Sequence, residues 1–349
     1  MRIARHLLAA TSVLVIAGCE VGSTGGPGNG NPDAPAGSSV DAAPGSSDAP
    51  TASGGLEYAP YFYTWGWGSG SYAFPSLAAM KAQGGPAAVT IAFVIADGGC
   101  KATREVQDNL DDVHAYVAAG GHLKASFGGA AGTYLESACG DASSLATAIG
   151  NWVDETGITD LDFDIEQGDA TSNPTINAMR ATALKQVQQA KGIRVAFTLP
   201  VNPDGLDARG KAVVQSALDA GVEISFVNVM TMDYGSDPNL DLGQTAISST
   251  DATAHQLTAM IPGLSLADAY RKVGATPMIG TNDDGNVFTQ ANATALADWA
   301  GQHHLGLLAF WAIQRDEACP GGTELDLCTG VNANTFEFNA IFGAVAGHP

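Results

Sequence analysis

Residues 159–166 read TDLDFDIE. Acidic side chains at Asp160, Asp162, Asp164 and Glu166 alternate with Leu161, Phe163 and Ile165. Strict period-two alternation makes a strand, with the four carboxyls on one face and bulky apolar side chains on the other. An apolar face of that kind belongs to a sheet covered by helices, not to a solvated edge. Like charges a few ångströms apart repel, so at least one of the four holds its proton to higher pH than a free carboxylic acid does. Folding alone gives no reason for such a row. Carboxylate oxygens also suit calcium or magnesium, but no loop with calcium-ligand spacing accompanies the strand. A row of catalytic acids is therefore the stronger reading, with no metal and no other cofactor implied.

The rest of the chain alternates around that strand. Strand-like patterns cover 58–64, 88–96, 122–127, 193–199, 224–232, 276–280 and 305–313. Helical spacing covers 75–83, 104–119, 144–155, 177–190, 211–220, 254–272 (broken at Pro262-Gly263), 291–302 and 335–345. Eight strand–helix units in one domain over 56–349 match a (β/α)8 TIM barrel. An open doubly wound sheet alternates in the same way, but the sequence lacks a Gly-rich dinucleotide turn and the count of eight favours closure. The connections beside the seventh strand are short, which leaves no room for a small α+β insertion. Barrel active sites lie at the carboxyl ends of the strands, where Glu166 is expected as the last residue of its own.

The front of the chain is different. Arg2, Arg5 and His6 precede an apolar run over 7–17, too short for a permanent bilayer span. The run ends Ile16-Ala17-Gly18-Cys19, which resembles a bacterial lipobox and implies a signal peptide over 1–19 with lipid on Cys19. Residues 20–55 are Gly, Ser, Pro, Ala and Asp with almost no large apolar side chain, a composition that cannot offset its ordering entropy and reads as a disordered linker. With 36 acidic against 15 basic residues the formal charge is −21, which disfavours nucleic acid and anionic membrane surfaces as partners. Membrane contact is expected only through the lipid anchor, on an exported monomer held at the bacterial cell envelope or surface.

The acidic strand resembles the signature of glycoside hydrolase family 18, Asp-Gly-x-Asp-x-Asp-x-Glu on the fourth strand of a TIM barrel. Asp162, Asp164 and Glu166 match its last three acidic positions, while Thr159 and Asp160 stand where the first Asp and the Gly usually are. Ser126-Phe127-Gly128-Gly129 resembles the Ser-x-Gly-Gly motif one unit earlier. Met230-Thr231-Met232-Asp233-Tyr234 is similar to Met-x-Tyr-Asp at the sixth strand end. Met230 and Asp233 match, Met232 occupies the tyrosine position, and Tyr234 is expected to reach the site instead. Trp311 matches the tryptophan that floors the sugar pocket on the eighth strand. Sugars present C–H faces to aromatic rings, so Tyr63 and Trp65, with Trp67 nearby, are further candidates at the end of strand one.

By this resemblance the substrate is chitin or another oligosaccharide containing N-acetylglucosamine. Glu166 protonates the leaving oxygen, the substrate's own acetamido oxygen attacks, and Asp164 stabilises the oxazolinium ion. Asp162 tunes Asp164, and Tyr234 holds the acetamido group. The commoner glycosidase chemistry, with a carboxylate on each side of the bond, does not apply, because this family uses substrate assistance. The expected activity is chitinase; an endo-β-N-acetylglucosaminidase acting on glycoprotein glycans and a catalytically weak carbohydrate-binding lipoprotein are the alternatives. Apart from Cys19 four cysteines remain, with three possible pairings. The expected bonds are Cys100–Cys139, joining the loops after strands two and three, and Cys319–Cys328, closing a short loop after strand eight.

Overall fold

The computed structural model describes residues 55–237, 239–319 and 324–346. The expected signal peptide, Cys19 and the linker up to residue 54 lie outside the described residues. Within them the chain is a parallel barrel. Strand β1 runs in two pieces, Glu57–Tyr58 and Tyr61–Tyr63, and is followed by β2 (Ala88–Val94), β3 (His122–Gly128), β4 (Asp160–Asp164), β5 (Arg194–Pro200), β6 (Ile224–Met230), β7 (Val273–Thr276) and β8 (Leu307–Leu308). Each pairs in parallel with the next. Closure falls to β1: Glu57 and Tyr58 pair with Leu307 and Leu308, whereas Tyr61 to Tyr63 pair with Thr90 to Ala92. Pro60, which has no N–H, separates the two pieces, but its carbonyl still accepts from Thr90 N at 2.9 Å, so the ring of strands is unbroken.

The helices take their ends from side chains named by the sequence. Asp141 and Ser144 form a reciprocal cap at the start of Ala142–Thr156, and Gly157 closes that helix at φ 72°. Asn173 caps Pro174–Lys191, which has proline in its first turn, and Thr289 with Asn292 caps Gln290–His303. A continuous apolar layer between barrel and helices holds Phe127, Trp152, Phe163 and Phe197, so the even-numbered side of β4 is left to face the barrel interior.

Two expected boundaries moved together. The helix expected over 254–272 is Leu242–Met260 followed by a short Leu266–Tyr270 helix, and β7 lies at Val273–Thr276 instead of 276–280. The long helix buries Thr245, Ser249, Thr250 and Thr253 where periodicity analysis looks for aliphatic residues. Each hydroxyl bonds the carbonyl four residues back, at 2.8, 2.8, 2.7 and 2.8 Å, so a polar-looking run packs as a helix face. β8 is also shorter than expected. Between β7 and the Gln290–His303 helix stands the two-stranded hairpin Gly280–Thr281 with Val287–Phe288, in keeping with the expectation of no α+β insertion there. Both expected disulfides are present, Cys100–Cys139 and Cys319–Cys328.

Candidate active site

β4 carries acids at two ends of the barrel, and they do different work. Asp160 stands at the amino-terminal end, within 2.9 Å of Lys124 Nζ and 2.8 Å of Arg194 Nη1, with Glu57 on the far side of both cations. Burial alone would raise its carboxyl. The Lys124 ammonium, the His122 contact and Arg194 outweigh burial and hold it well below the usual carboxylate range. The expected row of four carboxyls is thus three, because Asp160 belongs to a charge-neutral plug at the opposite mouth.

Asp162 lies one layer higher, 3 % exposed. Ser126 Oγ donates to its Oδ2 at 2.7 Å, Tyr61 Oη to the same oxygen at 3.0 Å, and Thr198 Oγ1 to Oδ1 at 2.8 Å. Behind Thr198 the chain of bonds continues through Asn228 Nδ2 (3.0 Å) to Thr276 Oγ1 (2.7 Å). Burial still raises Asp162 above its ordinary value despite the three hydroxyl donors, which favour the carboxylate.

Asp164 ends the strand, and its Oδ1 is buried with no hydrogen-bond partner among the described residues. Burial first, then the negative charges of Glu166 and Asp162, push its carboxyl far above the carboxylate range. Glu166 is not the last residue of the strand as expected; it stands two residues beyond, half-buried at the barrel mouth. Burial pushes it up to about 7, with a hydrogen bond from Asp164 opposing and the charge of Asp233 adding. Two neighbouring acids with raised and mutually dependent protonation at a barrel mouth form a candidate general acid–base pair.

Beside them lies an aromatic wall. Trp311, half-buried, stacks on Phe93 at 5.4 Å between ring centroids and 15° between planes. Tyr61 and Tyr63 flank it at 5.7 and 5.0 Å. Trp65 lies 47 % exposed with its ring stacked on Tyr63 at 4.4 Å, and its indole N–H reaches Tyr72 Oη at 3.0 Å. Trp65 and Trp311 stand 6.1 Å apart between ring centroids with their planes 42° apart, an angled apolar surface at the same mouth.

No protein-family model matches the sequence. The chain is 32% identical over 295 residues to a probable bifunctional chitinase/lysozyme of Escherichia coli (strain K12), covering 77% of this chain and 32% of that protein. Across the curated relatives it matches, the chain spans from 32% to 47% of their length. Among solved structures it superimposes on active domain 2 of the thermostable chitinase from Pyrococcus furiosus, crystallised as catalytic-site mutants with chito-oligosaccharides. That match has a TM-score of 0.75 and 30% identity, over 83% of this chain and 94% of that one. The chain belongs to the glycoside hydrolase family 18 chitinases. A family GH18 chitinase from Chromobacterium violaceum shares the fold at 14% identity and a TM-score of 0.56, over 83% of both chains.

For a family 18 barrel, the remaining expected residues divide clearly. Met230 is half-buried at the end of β6, opposite Thr276, at the active mouth. Asp233 follows it at φ 52°, its Oδ1 accepting from Asp284 N at 3.2 Å. Ser126 is fully buried, so it orients Asp162 and offers nothing to a substrate. Tyr63 is fully buried beneath Trp65 and supports that surface without being reachable itself. Trp67 turns away and donates to Asp112 Oδ2 at 2.7 Å, a carboxylate that also caps Leu77 N and Ala78 N.

Tyr234 does not reach the site. Its hydroxyl bonds Ser249 Oγ at 2.8 Å, on the Leu242–Met260 helix, and its ring packs in the layer between barrel and helices. The positive φ of Asp233 turns the chain outward one residue earlier. Sequence reasoning missed Tyr61 and Thr198 as holders of Asp162. Both stand on barrel-facing positions, and their alternation with apolar neighbours was the available signal. It also missed Tyr134, which stands in a loop where no periodicity points at anything.

Proposed function

We propose that the protein hydrolyses β-1,4 bonds between N-acetylglucosamine units of chitin, with retention of configuration and with assistance from the substrate's acetamido group. The observation that carries this reading is the Asp162–Asp164–Glu166 stack, in which Glu166 is raised to about 7 at the same mouth as the Trp65/Trp311 surface. Glu166, protonated near neutrality, gives its proton to the leaving glycosidic oxygen. The acetamido oxygen attacks the anomeric carbon and the ring of the oxazolinium ion forms as the glycosidic bond breaks. Asp164, protonated in the resting site and with an Oδ1 that lacks a partner among the described residues, passes its proton to Asp162, and the resulting carboxylate takes the acetamido N–H and supplies negative charge as positive charge develops. Asp162, held by three hydroxyls, accepts that proton from Asp164 and returns it when the oxazolinium ion is hydrolysed. Glu166, now ionised, removes a proton from the incoming water as the water oxygen bonds to the anomeric carbon and the bond from that carbon to the acetamido oxygen breaks, which restores Glu166 and the acetamido group. Tyr234 has no part in these steps.

Glu166→Gln tests the reading. It keeps volume and polarity but cannot donate a proton to the leaving group, so hydrolysis of chitotetraose is lost while binding and folding persist. Near-normal turnover overturns the assignment. Substrate assistance has its own test: glucosamine–glucosamine bonds of fully deacetylated chitosan stay intact, and Asp164→Asn loses about 10²–10³ in rate. Release of an α-configured first product rejects this mechanism.

The lipobox-like Ile16-Ala17-Gly18-Cys19 supports a further proposal, that the protein is exported and held at the cell envelope by lipid on Cys19. Cys19→Ala protein remaining wholly in the membrane fraction argues against it.

A further inference from the structure

Glu166 lies past the end of β4, where the sheet no longer fixes the backbone on both sides. Towards β5 the ladder runs one residue further, since Ile165 N donates to Thr198 O at 2.9 Å. Towards β3 it cannot continue, because the chain turns away through Gly128 and Gly129, at φ 118° and 94°. Gly129 N still donates to Asp164 O at 3.0 Å. Beyond that bond a side chain replaces the missing rung. Tyr134 Oη accepts from Glu166 N at 3.0 Å and donates to Gly129 O at 2.7 Å. The hydroxyl thus closes a ring of bonds that runs from Asp164 through Gly129 and Tyr134 to Glu166.

The residue that makes this bridge is itself held. Tyr134 is 6 % exposed, and a Cβ at Gly128 would run into its ring and into the Asp164 carbonyl. It directly precedes the short Leu135–Ala138 helix. Cys139, at the end of that helix, is bonded to Cys100 in the loop after β2. Glu136, within the helix, takes Arg180 Nε at 2.6 Å, both side chains being buried. The same guanidinium donates to Ala170 O at 2.6 Å, beyond Glu166 in the chain. Gln167 Nε2 reaches Ala130 O at 2.6 Å, a second tie between the two segments.

We propose that Tyr134 is a positioning residue for the catalytic acid: its hydroxyl fixes the Glu166 amide, and with it the reach of the Glu166 carboxyl, against a loop anchored by Cys100–Cys139 and Glu136–Arg180. This rests on Glu166 being the proton donor. The bridge touches backbone only, so it acts on where the acid stands and leaves the sugar contacts at Trp65 and Trp311 alone. Misplacement of a catalytic group by about 1 Å costs on the order of 100-fold in rate.

The test uses Tyr134→Phe, which keeps the ring and removes the bridging oxygen. With chitotetraose, kcat is expected to fall about 10- to 100-fold with KM unchanged, and the high-pH limb of the kcat profile to move. Hydrogen exchange of the peptide containing Glu166 is expected to quicken, a readout independent of activity. A kcat and pH profile like those of the unsubstituted protein, or unchanged exchange at Glu166, overturns the proposal, as does a loss of kcat that only follows the unfolded fraction. Where Tyr134→Phe does not fold, fluorotyrosine at position 134 keeps ring and hydroxyl but weakens the oxygen as an acceptor. A reduced kcat at constant KM then supports the bridge, and unchanged kinetics overturn it. Full activity of Glu166→Gln, by contrast, defeats the functional reading and leaves the exchange result to judge the bridge.

Discussion

At the scale of single residues, charge and burial decide what each acid on β4 does. Asp160, Asp162 and Asp164 share a face and are each 3 % exposed, yet Asp160 is held ionised by two cations while Asp164 is pushed towards its neutral form. The period-two pattern made that shared face legible, and with it the site. The division between the two ends was not legible, because Lys124 and Arg194 come from other strands. Nor was the fate of Tyr234, which turns on one positive φ at Asp233. The raised Glu166 has a kinetic consequence. A general acid works while protonated, so activity should fall as pH rises through about 7. Burial is the main cause, but the Asp233 charge adds to it, and Asp233→Asn removes that contribution. The high-pH limb of the chitotetraose kcat profile should therefore move to lower pH in this variant. A limb that stays in place, or moves upward, shows that Asp233 does not act on Glu166 electrostatically.

At the scale of elements, the barrel places its costs at one mouth and its chemistry at the other. Lys124 on β3, Asp160 on β4, Arg194 on β5 and Glu57 on β1 neutralise one another across the floor, with Phe226 of β6 5.4 Å from both cations. This cluster stands at the amino-terminal ends of the strands, opposite the carboxyl ends where barrel active sites lie. Lys124→Met leaves Asp160 buried with one strong partner fewer. Breaking a buried pair from one side costs about 3–5 kcal/mol, to be read as a lowered denaturant midpoint. The kcat of the folded fraction should stay within about twofold, because the floor lies two alternating positions below Asp164 on β4. A parallel collapse of kcat and stability would show that floor and mouth are not separable. Strands of this kind were readable from apolar runs; the caps Asp141, Asn173 and Thr289 were not read, and the helices they start were expected only from 144, 177 and 291. The Leu242–Met260 helix was readable only in part, because its buried hydroxyls satisfy themselves along the helix and so look exposed in sequence.

At the scale of the whole domain, the same electrostatics set a pH preference for folding. Asp162, Asp164, Glu166 and Asp316 are all raised, Glu166 and Asp316 to about 7, with burial as the largest cause in each. Of these four, Asp316 lies outside the active mouth; it accepts from Phe338 N and Asn339 N at 3.1 and 2.8 Å at the start of the Glu337–Gly343 helix. A carboxyl raised in the folded state binds its proton more tightly there than in the unfolded chain. Between its unfolded and folded values the native state therefore holds more protons, and stability falls as pH rises. These four contribute fully below the ordinary carboxyl range; Glu166 and Asp316 lose their contribution as pH climbs through about 7, and Asp162 and Asp164 lose theirs as pH climbs through their own raised values. Asp160, Asp141, Asp207 and Asp268 are lowered, so their contributions are present above the ordinary range and fade under stronger acid. The formal charge of −21 at pH 7 adds self-repulsion in the same direction as the raised groups. With both disulfides intact, calorimetric unfolding should therefore occur at higher temperature near pH 5 than near pH 8, with the gap narrowing in Asp316→Asn. An unfolding temperature that stays level or rises from pH 5 to pH 8 would overturn this, because the lowered acids are ionised in both states across that window and contribute no slope there.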